Sequence, residues 1–196
     1  VNSGIRHMPP AARRTGPPRG SPASSSPPDR PPADIRARFA QIAAARPTDE
    51  MGSGRWSLLF KPGTYGTAAE PLQVRVGYYT EVAGLGADPG DVVINGKIEV
   101  YHRCLGDGGT TNCIALNTFW RTLSNLTIDV NGTGQDGCRA SANFWAVSQA
   151  VSMRRVQVRG GNLSLMDYCT AGPQYASGGF ITDSETDNLT KGPQQQ

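Results

Sequence analysis

The chain has 196 residues, of which only 37% are hydrophobic, and its 24 glycines and 15 prolines supply many potential turns. This length suits one domain, and the composition favours a turn-rich β protein. The net charge is +3, but no basic patch interleaved with aromatic residues accompanies it, which argues against a nucleic-acid partner. No stretch approaches the roughly 18 apolar residues of a membrane span, which argues against a membrane partner.

The chain begins with a polar segment and a short helix. Residues 1–33 are rich in Pro, Ser, Gly and Arg, with few large apolar side chains. Such a segment buries too little surface to offset its ordering entropy, so we predict that it is disordered. Residues 34–55 are predicted to form a short helix and a linker. The helix has one apolar stripe at helical spacing, which predicts that it caps the structure that follows: Ile35, Phe39 and Ile42.

Short β-rich runs recur over residues 56–196, each bounded by Gly, Pro, Asn or Asp. Their starts lie about 16 to 30 residues apart, a spacing typical of solenoid coils. Aliphatic residues alternate along the runs and resume after glycine corners, as stacked coils require. A β-sandwich would fit the same runs, but the scarcity of two-residue hairpin turns favours a parallel β-helix. The clearest inward-facing residues are Leu126, Ile128, Val130, Val156, Val158, Leu163 and Leu165.

The four cysteines allow three pairings if all are oxidised. Cys104 and Cys113 flank a Gly/Thr loop whose ends a disulfide would join, and Cys138 and Cys169 could then tie neighbouring segments together. A zinc site is disfavoured, because there is no CxxC motif and the chain has only two histidines. Free buried thiols are the alternative. Disulfides and a secreted protein are favoured by four glycosylation sequons, at Asn125, Asn131, Asn162 and Asn188.

Several stretches carry a resemblance to a family of large secreted microbial proteins: FKPGTY (60–65), VGYYTEVAGLGADPGDVVING (76–96), NFWAVSQAVSMRRVQVRG (143–160) and SGGFITDS (177–184). Members of that family are often labelled coagulation factor 5/8-type (discoidin) domain proteins or adenylyl cyclases. Their core is similar to the pectin-lyase-like right-handed parallel β-helices, including those of glycoside hydrolase family 55. The resemblance covers about residues 56–196 and implies the same all-β fold, with the short N-terminal helix as its cap.

The terminal GPQQQ resembles a segment that, in this family, runs on into further coils. We therefore expect residues 56–196 to be the N-terminal coils of an incomplete solenoid. The resemblance then implies further coils, and carbohydrate-binding domains, in a longer parent chain. The fragment alone is expected to be inactive.

Three acidic residues are the candidate catalytic groups. Asp183, Glu185 and Asp187 lie two apart, so on a single strand they share one face, with alternate Cα atoms about 6.6–7 Å apart. Two carboxylates at that separation suit the acid and base of an inverting glycosidase. They could equally hold Ca²⁺, as in a lyase, or form a solvated acidic face. No metal site and no other cofactor is assigned.

Aromatic residues are the candidate substrate-binding groups, because aromatic faces are the usual platforms for sugar rings. Trp120 and Trp145 open their runs in the same Phe-Trp context, and Tyr168 ends a coil. Packing in the core or at a corner is the alternative, particularly for Trp145.

The leading functional hypothesis is a fragment of a secreted glycoside hydrolase that degrades a polysaccharide. The alternatives are a non-catalytic carbohydrate-binding or adhesion module, and a polysaccharide lyase. The sequence does not separate them, since a fold does not fix a function.

Overall fold

The computed structural model describes the chain in separate stretches, to which every structural statement below refers: residues 23–44, 51–104, 113–114, 118–148, 150–170 and 179–191. Within these stretches no helix is long and apolar enough to cross a membrane.

The described residues form one helix, a short 3₁₀ turn at Pro89–Asp91, and a series of β-strands. In chain order the elements are β1 (Ala23–Ser26), α1 (Pro32–Ala44), β2 (Trp56–Phe60), β3 (Gly63–Tyr65), β4 (Leu72–Arg75), β5 (Thr80–Gly84), β6 (Val92–Glu99), β7 (Arg103–Cys104), β8 (Cys113–Ile114), β9 (Arg121–Val130), β10 (Ala142–Phe144), β11 (Ser152–Ser164), β12 (Phe180–Thr182) and β13 (Glu185–Thr190).

The strands pair in parallel, each with the equivalent strand of the next coil along the chain. β2 pairs with β5, β5 with β9, β9 with β11, and β11 with both β12 and β13. Among the described strands, only β7 and β8 pair antiparallel. Since sandwiches are built from antiparallel strands, this topology excludes the sandwich alternative and confirms the predicted all-β parallel β-helix.

The core is a set of aliphatic rows that run from coil to coil. The strand register places Leu58 beside Val82, Val82 beside Leu123, and Leu123 beside Met153, and all four side chains are buried. Burying a side chain of this size contributes about 1.5–3 kcal/mol. The predicted inward residues are confirmed: Leu126, Ile128, Val156, Val158 and Leu163 are buried, and Val130 and Leu165 pack against them.

Helix α1 covers the first coils, as predicted. Its apolar stripe of Ile35, Phe39 and Ile42 is buried in the same core. The Phe39 ring lies 6.3 Å from that of Phe60. On the outer side, the Arg36 guanidinium donates a hydrogen bond to the carbonyl of Pro71 at 3.0 Å.

The predicted disorder of residues 1–33 is wrong for its last part, and residues 1–22 lie outside the described stretches. Residues Ala23–Ser26 form a strand that pairs in parallel with Ser57–Phe60. The Tyr65 hydroxyl also donates to the carbonyl of Ser26 at 2.6 Å. The prediction considered only side chains, whereas this strand is held by backbone hydrogen bonds, which any residue except proline can donate.

One predicted disulfide is present, between Cys138 and Cys169, whose Cα atoms lie 5.9 Å apart. Cys104 is also disulfide-bonded, and the β7–β8 register places it opposite Cys113. The Cys113 side chain lies outside the described part of the chain, so the Cys104–Cys113 bond stays a prediction.

Gly96 gives a test of how tightly the coils pack. Its backbone has φ of 151°, and a Cβ atom there would lie 2.0 Å from the carbonyl oxygen of Leu72. We expect Gly96→Ala to lower the free energy of unfolding by at least about 2 kcal/mol, because the new methyl group meets both backbone strain and a clash. Chemical denaturation of the purified chain measures this change.

Two glycines serve as matched controls. Gly134 has φ of 84° but open space around it, and Gly90 has open space without the unusual φ. Gly134→Ala should cost less than Gly96→Ala, and Gly90→Ala should be nearly neutral. Equal losses for Gly96→Ala and Gly134→Ala would contradict the close approach of the two coils.

Candidate functional site

Each coil has a corner just before its strand β2, β5, β9 or β11, and the side chains at these corners form a row. These strands lie in register, so the residue at the bend occupies the same position in each coil. We call this set the corner row: Arg55, Tyr79, Trp120 and Ala150. The last three have left-handed backbone, with φ of 53°, 55° and 56°, which costs a non-glycine residue about 1 kcal/mol or more.

The side chains of the corner row stack on one another. The Tyr79 and Trp120 rings lie nearly parallel, with centroids 4.8 Å apart and planes 8° from each other. The Arg55 guanidinium lies 3.5 Å from the centroid of the Tyr79 ring, on which it makes a cation–π contact. Paired strands are about 4.8 Å apart, so side chains one coil apart are already at stacking distance.

A groove of about 340 Å³ runs beside the corner row. Its other wall consists of outward side chains of the strands, namely Ser57, Glu81 and Thr122. The Ser57 hydroxyl donates to Glu81 Oε2 at 2.7 Å. The volume lies in the range of small-molecule pockets. An aromatic wall facing a carboxylate and hydroxyls suits a sugar ring, which presents C–H groups on its faces and hydroxyls at its rim.

The groove contains one of the predicted substrate-binding residues, Trp120, which is partly exposed. Sequence reasoning missed Tyr79 and Glu81, although both lie within the VGYYTEV stretch that carried the family resemblance. The signal that finds them is the strand register, since Tyr79 precedes β5 as Trp120 precedes β9.

The Trp145 side chain is 1% exposed and belongs to the hydrophobic core. This placement agrees with the alternative of core packing and gives the predicted binding role of Trp145 no support. Tyr168 is partly exposed and packs edge-on against Phe144, with ring centroids 5.1 Å apart. It lies outside the groove lining, and its binding role stays a prediction.

The three acidic residues do not lie on one strand. β12 ends at Thr182 and the chain bends at Asp183, where φ is 48°, so only Glu185 and Asp187 belong to β13. The Asp183 carboxylate pairs with Arg154 at 3.2 Å, and Asp187 accepts a hydrogen bond from the backbone of Gly160 at 2.8 Å. The predicted common face is therefore wrong for Asp183.

The catalytic role of these three residues stays a prediction. In the described part of the chain, no three His, Cys, Asp or Glu side chains lie close enough to hold a metal ion. The Ca²⁺ alternative for the three acidic residues therefore gains no support from this geometry.

A second polar cluster is buried behind the loop that follows β9. The side chains of Lys97 and Glu99 are 0% and 2% exposed, and Lys97 Nζ lies 2.8 Å from Glu99 Oε1. Lys97 also donates to Gln135 Oε1 at 2.7 Å and to the carbonyl of Arg139 at 2.5 Å. Burial lowers the pKa of Lys97, against the opposing effect of Glu99. Burial, together with the Glu99 charge, raises the pKa of the neighbouring Tyr101.

The carboxylates of this cluster are occupied by contacts that hold the fold. Glu99 accepts from the backbone of Phe144 at 3.1 Å. Asp167 accepts from the backbone of His102 at 3.1 Å and from Arg139 Nη2 at 3.1 Å. The cluster thus fastens the loop to the coil, in the same region as the Cys138–Cys169 bond, and we assign it a structural role.

No protein-family model matches the chain. A curated relative, the exo-beta-1,3-glucanase of Streptomyces sp. (strain SirexAA-E / ActE), is 36% identical over 164 residues, which cover 83% of this chain and 23% of the relative. The solved structure of sacteLam55A from Streptomyces sp. SirexAA-E matches with a TM-score of 0.66 and 34% identity, over 86% of this chain and 26% of that one. The chain therefore spans about a quarter of the length of the proteins it matches.

These matches support the part of the resemblance that concerns glycoside hydrolase family 55. The chain is similar in sequence to a polysaccharide-degrading enzyme and similar in fold to the solved structure. The matches give no support to the coagulation factor 5/8-type and adenylyl cyclase labels.

The buried histidine of the second cluster predicts a pH dependence. His102 is 6% exposed, and neither ring nitrogen has a hydrogen-bond partner among the described residues. Burial lowers its pKa below 6.5, Asp167 opposes this shift, and Arg139 adds to it. As the pH falls below about 6.5, the unfolded chain binds a proton that the folded chain does not, so the free energy of unfolding should fall.

The variant His102→Gln removes this titration. Between pH 7.5 and pH 5, the wild type should lose more stability than the variant, by about 1.4 kcal/mol for each unit of pKa shift. Denaturation curves at both pH values measure the difference, and the remaining titrating groups are common to both proteins. Equal losses would show that His102 is not held neutral by the fold.

Proposed function

We propose that this chain is the β-helix part of a secreted carbohydrate-active protein that acts on a β-1,3-glucan, similar to the enzymes of glycoside hydrolase family 55. The observation that carries the proposal is the 36% identity over 164 residues with an exo-beta-1,3-glucanase. The groove beside the corner row supports it, because it offers an aromatic wall and a carboxylate to a neutral sugar. The Cys138–Cys169 disulfide supports secretion, since such bonds persist in oxidising compartments.

The role proposed for this chain is to bind the polysaccharide and hold it for cleavage. Glycoside hydrolysis uses two carboxyl groups placed on either side of the bond that breaks. Glu81 is the carboxylate of the groove, and the bend at Asp183 separates that residue from Glu185 and Asp187. Cleavage then uses carboxylates of a longer polypeptide, comparable in length to the relatives.

The second candidate is a non-catalytic carbohydrate-binding or adhesion module. The bend at Asp183 favours it, because that bend divides the predicted group of catalytic residues. Both candidates require binding of a glucan, and they differ in turnover. The polysaccharide lyase alternative has no comparable support.

We expect the 196-residue chain to bind laminarin, a soluble β-1,3-glucan, without releasing glucose from it. Affinity electrophoresis in gels that contain laminarin measures binding, with an α-linked glucan as the control polymer. A reducing-sugar assay measures release. Release of sugar by the wild-type chain would contradict the binding role proposed here. The triple variant Asp183→Asn, Glu185→Gln, Asp187→Asn would then show whether these three residues catalyse the release.

A chimera separates the enzyme from the binding module. This chain replaces the matching segment of the Streptomyces glucanase, and a cooperative thermal transition confirms that the chimera folds. Hydrolysis of laminarin by the folded chimera is expected for the enzyme. A folded chimera that binds laminarin and does not cleave it would favour the module.

A further inference from the structure

The corner row changes character at its last described member. Arg55 lies on Tyr79, and Tyr79 stacks on Trp120, but the next position along the row is Ala150. The coil of Trp120 lies between the coils of Tyr79 and Ala150, so Ala150 stands on the side of the indole that Tyr79 does not cover. Ala150 is exposed and Trp120 is partly exposed.

The register leaves a slot beside Trp120. Successive coils are about 4.8 Å apart, so a third ring at the Ala150 position would stack on the indole as Tyr79 does. Within the described stretches, no ring lies parallel to that face of Trp120. Phe119 meets Trp120 at 58° and is not part of the groove lining, whereas Thr122 and Ala150 are.

We propose that this slot binds one glucose unit of a β-1,3-glucan, with a C–H face of the pyranose ring against the indole of Trp120. This inference rests on the proposed function for the identity of the sugar. A pyranose ring is flat enough to take the place of the missing third ring. Its faces are apolar and its hydroxyls point outward, towards the polar wall of the groove.

The polar wall supplies partners for those hydroxyls. Thr122 lies beside the slot, and the strand register places Glu81 next to Thr122, one coil away. Glu81 uses Oε2 to accept from Ser57, and a carboxylate has about four acceptor sites in all. It therefore keeps the capacity to accept from sugar hydroxyls.

The charge of the groove favours a neutral sugar over an acidic one. Glu81 would repel the carboxylate of a uronic acid. The Arg55 guanidinium is held against Tyr79 and donates to the carbonyls of Gly52 and Gly54 at 2.7 and 2.9 Å, so it is already engaged by the protein. The slot therefore suits an uncharged glucan.

The test fills the slot with a side chain. Ala150→Tyr adds the third ring, and it should weaken binding of a β-1,3-linked glucose hexamer by about tenfold or more, the equivalent of losing one good ring contact. The melting temperature should stay the same or rise, since the new ring can stack on Trp120. Isothermal titration calorimetry measures the affinity, and thermal denaturation monitors folding.

Two further variants keep the test decisive. Ala69→Tyr adds the same side chain at an exposed loop position outside the groove and should bind like the wild type. Ala150→Leu fills the slot without a ring and should weaken binding even if Ala150→Tyr does not fold. The proposal is overturned if the wild-type chain does not bind the hexamer, or if a folded Ala150 variant binds it as tightly as the wild type.

The outcome is separable from that of the proposed function. If the chimera hydrolyses laminarin while the Ala150 variants bind normally, the slot is refuted and the proposed function stands. If hexamer binding is lost in the Ala150 variants while the folded chimera is inactive, the slot is upheld and the proposed enzymatic role fails.

Discussion

The in-register parallel pairing of successive coils is the constraint on which the rest of this structure depends. It makes the residue one coil away, rather than the residue nearby in sequence, the main neighbour of each side chain. Inside, the pairing stacks Val82 on Leu123, and outside it stacks Tyr79 on Trp120. Loops between strands are free to differ in length, provided that the chain re-enters the next strand at the same position. A slip of one residue would turn an entire aliphatic row towards solvent.

The corners show how this register is kept. Asn125 has left-handed backbone, and its side chain donates to the carbonyls of Gly84 and Gly86 at 2.9 and 2.7 Å. The amides of Asn131 and Asn162 likewise bond across coils, to Asn95 and Thr190. Three of the four sequon asparagines therefore have a structural explanation. The case for secretion consequently rests more on the Cys138–Cys169 bond than on the number of sequons.

What could be predicted from the sequence was local, and what could not depends on the register. The stripe of α1 and the alternation of Leu126 and Ile128 are periodic over a few residues, so they identify buried faces directly. The neighbours across coils depend on loop lengths that no local pattern reveals. The alternation around Asp183 therefore concealed a corner, and Tyr79 escaped notice as the partner of Trp120. The pair Lys97–Glu99 is buried only because a distant loop covers the outer face of β6.

The buried Lys97–Glu99 pair and the corner row each carry a free-energy cost, and different contacts offset it in the two places. Burying Lys97 and Glu99 carries a desolvation cost, and hydrogen bonds to Gln135, the Arg139 carbonyl and the Phe144 backbone offset it within the protein. At the corner row, the left-handed backbone of Tyr79 and Trp120 is offset by the stacking of their rings. Ala150 has the same backbone strain and no ring to stack. Strained residues cluster where proteins bind ligands. A sugar ring in the slot would stack on Trp120, in the place that an aromatic side chain at position 150 would otherwise fill.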